Sequence, residues 1–179
     1  YKARKVAKGF TQRQGDFGET YAPTPQVASV RMAIALSLLL GWQALQMDVK
    51  SAFLQADLPE QERVWLLPPK EDKLNAEYIF FLMKSLYGLR QAAFRWNEDI
   101  NKTLREEDFE ALDADTCIYT HRDANGTILC ILVLHVDDML VIAPDGTRED
   151  ISARLQGKYT MTESPARWFL KMNIAYASD

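Results

Sequence analysis

Two strongly apolar segments, separated by a short polar spacer, constrain the fold of this chain more than any other feature. Residues 128–134 read ILCILVL and residues 139–143 read MLVIA. Runs this short and this apolar are typical of strands buried in a sheet, and the spacer between them predicts an antiparallel hairpin. The spacer HVDD places two adjacent carboxylates, Asp137 and Asp138, at the tip of that hairpin.

The rest of the chain predicts helices and further strands in mixed order. Apolar positions from Leu89 to Leu104 recur at steps of three and four residues, which predicts an amphipathic helix. Thr24 and Pro25 predict the start of a buried helix that ends at Gly41. Thr147 predicts the N-cap of another helix. Further extended segments are predicted at residues 1–10, 44–49, 64–67, 118–120 and 168–176. Together these elements predict an α+β fold in which helices cover an antiparallel sheet.

Composition and charge narrow the function classes. The 179 residues are 47% apolar and 26% charged, which is the composition of one compact domain. A net charge of −4 argues against a protein that coats nucleic acid through bulk charge. The first 13 residues nevertheless carry five cations and no acid, so this end of the chain could face phosphate. The longest apolar run near the start, residues 32–40, is too short for a membrane span, so no membrane partner is expected.

A third carboxylate, Asp48, ends another predicted strand 89 residues before Asp137. Three carboxylates converging from neighbouring strand ends could hold two Mg²⁺ ions, an arrangement suited to phosphoryl transfer. Two alternatives stay open from the residues alone. The Asp-Asp pair could be an ordinary solvated turn. Four potential zinc ligands also occur, although their spacing matches no usual zinc pattern: Cys117, His121, Cys130 and His135.

A family resemblance is carried by five segments in order. The strings YKARKVAKGFTQ, ETYAP, QMDVKSAFL, KSLYGLRQA and LHVDDML resemble the reverse transcriptase domain of the Pol polyprotein of copia-type LTR retrotransposons. The closing FLKMNIAY resembles the strand that follows the palm helix in that family. The resemblance covers nearly the whole chain, which begins with Tyr1 and is therefore expected to come from a larger protein.

The resemblance implies a right-hand polymerase with fingers and palm, an antiparallel palm sheet packed on helices, and no thumb. The fingers are expected at about residues 1–43 and 58–90, and the palm at about 44–57 and 91–179. Without a thumb, the grip on a primer–template duplex is expected to be poor.

The resemblance also assigns the catalytic centre. Asp48, Asp137 and Asp138 would be catalytic and would bind two Mg²⁺ ions, for which Mn²⁺ could substitute. Asp48 and Asp137 are expected to bind both ions most directly, and the Val49 carbonyl would be a further metal ligand.

Two segments are expected to bind the incoming dNTP. The cations that resemble the family's triphosphate-gripping fingers residues are Lys2, Arg4 and Lys8. Ser51 and Ala52 fall where these polymerases hold the triphosphate. Phe53 falls where an aromatic ring blocks a ribose 2′-hydroxyl, so it should favour dNTPs.

Four residues are expected near the primer and template. Gly88, Arg90 and Gln91 would lie beside the nascent base pair and the template, and His135 would lie near the primer end. His135 replaces a tyrosine usual in the family. Two further departures from the family pattern are Ala93 for proline and Lys171 for glycine. None of the three removes an expected metal ligand.

The resemblance implies an RNA-directed DNA polymerase in retrotransposon replication. Its expected partners are a primed RNA or DNA template, dNTPs, and the integrase and ribonuclease H parts of the Pol polyprotein. We expect it to act in cytoplasmic virus-like particles before the DNA reaches the nucleus. Two alternatives from other classes are a catalytically inactive transposon-derived fragment that binds nucleic acid weakly, and a metal-dependent nuclease that shares the carboxylates.

Overall fold

The computed structural model describes residues 4–68 and 78–175. The chain divides into two compact units, and each is built from two separate stretches. The first unit comprises Tyr1–Ala22 and Ser51–Ile100, and the second unit comprises Pro23–Lys50 and Asn101–Asp179. The predicted cation Lys2 lies outside the described residues, and the assignment of fingers and palm stays a prediction.

The second unit contains a six-stranded sheet in which all neighbouring strands are antiparallel. In spatial order the strands are β4 (Phe109–Leu112), β5 (Asp115–Arg122), β6 (Ile128–His135), β7 (Asp138–Ala143), β1 (Gln43–Val49) and β8 (Met161–Pro165). The structure confirms the predicted mixed fold with an antiparallel sheet. It also confirms the hairpin between the two apolar runs, which form β6 and β7, whereas β4 and β8 were not predicted.

Two helices pack on this sheet. Helix α1 (Val27–Leu39) contacts β1, β5, β6 and β7, and helix α3 (Thr147–Lys158) contacts β6 and β7. Residues 130–134 of β6 and 139–143 of β7 are buried on both faces of the sheet, which agrees with their lack of alternating polarity. One buried cluster joins α1 to the sheet and to the C-terminal segment: Val30, Ala33, Ala44, Ile118, Ile131, Val133, Leu140, Ile142, Ala166, Phe169 and Ile174.

Helix α1 differs from its prediction in two respects. It begins at Val27 after Gln26 as N-cap, two residues later than expected from Pro25. It is also not a buried helix, because Met32 and Leu39 are 64% and 82% exposed. Its apolar residues are spread around the whole helix, so only a narrow face can pack on the sheet. The predicted end is confirmed, since Gly41 follows the helix with a φ of 66°.

Two further predictions in the second unit were wrong in detail. The N-cap of α3 is Gly146, not Thr147, and the Glu149 carboxylate accepts a hydrogen bond from the Gly146 backbone N–H. The alternating segment 168–176 is not one strand. Its described part forms a hairpin of β9 (Trp168–Phe169) and β10 (Met172–Asn173).

The first unit is built from short elements around a small apolar cluster. In its described part, 3₁₀ turns occur at Gly9–Thr11, Ala52–Leu54 and Glu60–Glu62, and β2 (Trp65–Leu66) pairs antiparallel with β3 (Phe80–Phe81). The cluster consists of Ala7, Leu58, Leu89 and Ala92. The predicted N-terminal strand is wrong for the described residues, because 4–8 belong to no strand and a 3₁₀ turn follows.

Helix α2 (Ala92–Glu106) begins in the first unit and ends in the second. It confirms the amphipathic helix predicted from the apolar spacing, since Trp96, Ile100 and Leu104 are all buried. No helix within the described ranges 4–68 and 78–175 is long and apolar enough to cross a bilayer.

Candidate active site

The sheet of the second unit brings the predicted acidic residues to one end of the strands. Asp48 of β1 pairs directly with Asp138, the first residue of β7, and Asp137 precedes it in the turn after β6. Asp48 is exposed, and the other two aspartates are half-buried. The pairing of β1 with β7 therefore places Asp48 beside two carboxylates that are distant in the sequence.

The turn that carries Asp137 is strained. Val136 has a φ of 57°, in the left-handed region that β-branched residues rarely adopt. Such a conformation costs about 1–3 kcal/mol and persists only where the surrounding structure holds it. The Val49 N–H donates a 2.8 Å hydrogen bond to the Asp137 carbonyl, and the Gln46 amide donates a 3.1 Å hydrogen bond to Asp138 Oδ1. These two hydrogen bonds from strand β1 therefore stabilise the turn.

The donor set at this end of the sheet suits a hard cation. Mg²⁺ prefers carboxylate and carbonyl oxygens, which Asp48, Asp137, Asp138 and the Val49 carbonyl can supply. In the described part of the chain, however, no three histidine, cysteine, aspartate or glutamate side chains are close enough together to hold a metal ion. The chemistry of the donors fits Mg²⁺, the carboxylates do not form a closed ligand cluster, and the metal-binding roles stay predictions.

His135, which stands where the family usually has tyrosine, is the last residue of β6 and pairs with Asp138 across the hairpin. The residue is half-buried, and its Nδ1 is buried without a hydrogen-bond partner among the described residues. Its backbone position is therefore fixed beside the acidic turn. Its predicted contact with the primer end stays a prediction.

The predicted nucleotide-binding residues that the structure describes lie in the first unit. Arg4 and Lys8 are exposed, and the Arg4 guanidinium lies over the Tyr87 ring, with its carbon 5.1 Å from the ring centroid. Lys8 lines a cavity of about 720 Å³ whose wall includes Trp65. Both cations are thus accessible to solvent, as a phosphate-binding role requires.

The segment 51–53 forms a tight turn at the start of the second stretch of this unit. Ser51 has a φ of 54° and precedes the 3₁₀ turn that contains Ala52 and Phe53. Ala52 is buried, and the half-buried Phe53 packs on Tyr87 with the ring centroids 4.9 Å apart. The roles of these three residues in nucleotide binding stay predictions.

Gly88 belongs to a close backbone contact with the N-terminal segment. It has a φ of 90°, and a Cβ placed on it would lie 2.2 Å from the Ala7 carbonyl oxygen. A Cβ on Gly9 would lie 1.9 Å from the Gly88 carbonyl oxygen. Two segments that are far apart in the sequence therefore meet where only glycine fits.

Arg90 and Gln91 bond to the same N-terminal segment. Arg90 Nε donates to the Gly9 carbonyl at 3.1 Å, and its backbone N–H donates to Gln12 Oε1 at 2.9 Å. Gln91 is completely buried, and its Oε1 accepts a 3.1 Å hydrogen bond from Gln12 Nε2. In this structure both residues therefore hold the first unit together, and their contact with template stays a prediction.

Two features of this unit were not predicted from the sequence. One is Tyr87, whose ring touches both Arg4 and Phe53. The other is the ion pair of the buried Glu62 with Arg95, in which Arg95 Nε lies 2.9 Å from Glu62 Oε2. Hydrogen bonding to Glu62 raises the pKa of Arg95 above its ordinary value. The sequence signal for Tyr87 was its position inside SLYGL, which is part of one of the five strings that carry the family resemblance.

Comparisons with known proteins agree with these motifs. The family model described as reverse transcriptase (RNA-dependent DNA polymerase) matches residues 1–179. The chain is 34% identical to the retrovirus-related Pol polyprotein from transposon TNT 1-94 of Nicotiana tabacum, over 97% of this chain and 13% of that protein. It is also 34% identical to the corresponding polyprotein from transposon RE1 of Arabidopsis thaliana, over 82% of this chain and 10% of that protein. The chain thus spans only about a tenth of the length of these relatives.

The match over every residue, together with an acidic turn placed against a third aspartate by strand pairing, leaves one family that accounts for both sequence and structure. The chain belongs to the reverse transcriptase (RNA-dependent DNA polymerase) family.

Proposed function

We propose that this chain is the fingers and palm portion of an RNA-directed DNA polymerase. In the reaction, the primer 3′-hydroxyl attacks the α-phosphate of a dNTP, a new phosphodiester bond forms, and pyrophosphate leaves. The observation that carries the proposal is the direct pairing of Asp48 with Asp138 beside Asp137, in a chain that matches the family along its whole length.

In this proposal Asp48, Asp137, Asp138 and the Val49 carbonyl hold two Mg²⁺ ions. When bound, the ions would lower the pKa of the primer hydroxyl and stabilise the charge on the leaving oxygens. The chain itself supplies the fixed positions of the carboxylates. The hydrogen bonds from Val49 and Gln46 hold the Asp137 carbonyl and the Asp138 carboxylate in place. These two groups therefore do not have to change position before each nucleotide is added.

Arg4 and Lys8 are proposed to bind the triphosphate, since exposed cations compensate the charge of the transferred phosphates. Phe53 is proposed to exclude the 2′-hydroxyl of a ribonucleotide. Its support is its half-buried ring, which packs on Tyr87 and therefore has restricted freedom to swing away.

The proposed partners are a primed RNA or DNA template, dNTPs, and other parts of a Pol polyprotein. We place the activity in cytoplasmic virus-like particles by analogy with the family. The proposal on partners is supported by the relatives, whose names identify them as Pol polyproteins of transposons.

The test is extension of an oligo(dT) primer on poly(rA) with dTTP, in Mg²⁺ and in Mn²⁺, at low salt to favour duplex binding. The parent is compared with an Asp137→Asn/Asp138→Asn variant and with Asp145→Asn, which removes an exposed carboxylate of the same unit. We expect extension by the parent and by Asp145→Asn, and none by the double variant. A folded parent that does not extend the primer, or that only shortens it, would contradict the proposal, and shortening would indicate the nuclease alternative.

A further inference from the structure

The ring of Tyr87 lies in contact with two side chains that the proposed function places on the nucleotide. The Phe53 ring packs on it with centroids 4.9 Å apart and an interplanar angle of 52°. The Arg4 guanidinium carbon lies 5.1 Å from the Tyr87 centroid, within the range of a cation–π interaction. Tyr87 therefore connects the proposed selector of the sugar with the proposed ligand of the triphosphate.

The backbone at Tyr87 and Gly88 is held against Ala7. Its carbonyl accepts a hydrogen bond from the Ala7 N–H at 2.7 Å. The next residue, Gly88, has a φ of 90° and is so close to the Ala7 carbonyl that a Cβ would not fit. The ring thus projects from a part of the chain that is anchored to the N-terminal segment, the same segment that carries Arg4.

This anchoring limits the positions that Phe53 can adopt. A tilted pair of aromatic rings is a favourable contact, and a side chain packed against a fixed neighbour has fewer accessible rotamers. Phe53 is half-buried, so the rest of its ring faces away from protein. Phe53 also packs against the apolar cluster of Ala7, Leu58, Leu89 and Ala92. If Tyr87 lost its ring, Phe53 would keep this packing and lose the aromatic contact that restricts the tilt of its own ring.

We propose that Tyr87 is a positioning residue that sets the preference for dNTPs over ribonucleotides by holding the ring of Phe53. The inference rests on the proposed polymerase function and deepens it. Because the contact involves the ring and not the phenol hydroxyl, phenylalanine should replace Tyr87 and an aliphatic residue should not.

The test compares kcat/KM for dTTP and for UTP in single-nucleotide insertion on the poly(rA) template. Tyr87→Leu should lower the dTTP/UTP ratio by about three- to tenfold, which is the range expected for loss of one aromatic contact. Tyr87→Phe should keep the parental ratio. Tyr21→Leu, which alters a 72% exposed tyrosine of the same unit, is the matched control and should also keep it.

A second comparison separates positioning from a general loss of structure. In a Phe53→Ala background, Tyr87→Leu should cause no further change in the ratio, because the ring that it positions is absent. Circular dichroism and thermal melting identify folded variants, and Tyr87→Met serves as the aliphatic variant if Tyr87→Leu does not fold.

The outcomes distinguish this inference from the proposed function. If the parent inserts neither nucleotide, the proposed function is wrong and the inference falls with it. If the parent prefers dTTP and folded Tyr87→Leu has the same preference, only the inference is overturned. An equal effect of Tyr87→Leu with and without Phe53 would also overturn it.

Discussion

Asp48 and Asp138 occupy directly opposite positions on neighbouring antiparallel strands. Two carboxylates in such a pair repel each other, which is unfavourable for strand pairing unless a cation lies nearby. The Gln46 amide donates to Asp138 Oδ1 and offsets part of the charge. This pairing is therefore a place where a divalent cation should increase stability.

We expect Mg²⁺ to raise the free energy of unfolding of the parent protein. A cation that binds only the folded state adds about 2.7 kcal/mol at one hundred times its Kd. Urea unfolding in Mg²⁺ and in EDTA, at matched ionic strength, measures the difference. Asp48→Asn/Asp138→Asn should abolish the difference and Asp145→Asn should keep it. An equal gain in all three proteins would place the cation elsewhere.

Replacement of Gly88 by alanine should destabilise the protein by about 2–4 kcal/mol, because the residue has a positive φ and a Cβ would lie 2.2 Å from the Ala7 carbonyl oxygen. Gly157→Ala is the matched control, since Gly157 lies in α3 with nothing within 4 Å of a new Cβ. It should stabilise the protein by about 0.5–1 kcal/mol. Denaturant midpoints measure both, and equal effects would mean that the contact at Gly88 is not formed in solution.

The two carboxylates that bind Arg95 should contribute unequally to the free energy of unfolding. The Glu62 side chain is 5% exposed and also accepts a 3.1 Å hydrogen bond from the Gly18 N–H, whereas the Glu98 side chain is 51% exposed. Glu62→Gln should cost about 1.5–3 kcal/mol, because the half-buried Arg95 loses the charged acceptor of two hydrogen bonds. Glu98→Gln should cost less than about 1 kcal/mol. The idea fails if urea unfolding gives the same loss for both.

Replacement of Lys171 by glycine, the residue that the family usually has at this position, should stabilise the protein. Leu170 and Lys171 form the turn of the β9–β10 hairpin, with φ values of 47° and 65°. A left-handed conformation costs a residue with a side chain about 1–2 kcal/mol, which exceeds the entropic cost of glycine, about 0.5–1 kcal/mol. Lys171→Gly should therefore raise the melting temperature, while Lys102→Gly in the exposed part of α2 should lower it.

Stability should fall as the pH rises above about 9. Burial raises the pKa of Cys117 to about 11 and that of Cys130 to about 12. In the unfolded chain these thiols ionise near their ordinary pKa of about 8.5, so between about pH 9 and 11 the unfolded state binds fewer protons than the folded state. The free energy of unfolding then decreases with pH. The Cys117→Ser/Cys130→Ala variant should show a shallower decrease over the same range in thermal melts.

The secondary structure was predictable where the sequence pattern is compatible with only one type of element. The apolar runs of β6 and β7 are too short for helices, and the spacing of Leu89 to Leu104 fits only a helix. The pattern was misleading at residues 168–176, since a hairpin with a two-residue turn between Phe169 and Met172 keeps the alternation of one strand. Strand β8, with the sequence MTESP, carries too little apolar character to be recognised.

The candidate site was predictable in the second unit and only partly in the first. Asp48 and Asp138 lie at ends of apolar strands and Asp137 lies in the turn between two of them, so the sequence indicated their place before the pairing was known. The contacts of Tyr87, Glu62 and Gln91 depend on how distant loops meet, and no periodic pattern encodes such meetings. The described cations Arg4 and Lys8 belong to no strand because their segment bonds to Tyr87 and Arg90 through a few groups rather than along a ladder.

The place of β1 between β7 and β8 has a consequence for synthesis of the chain on the ribosome. Strand β1 ends at Val49, but its neighbours begin at Asp138 and Met161. At a synthesis rate of 5–20 residues per second, β1 has no neighbouring strand to pair with for roughly 5–20 s. During that time its backbone groups and the apolar residues of α1 are open to other contacts. Slower translation between residues 50 and 138 should therefore lower the yield of native protein in the absence of chaperones.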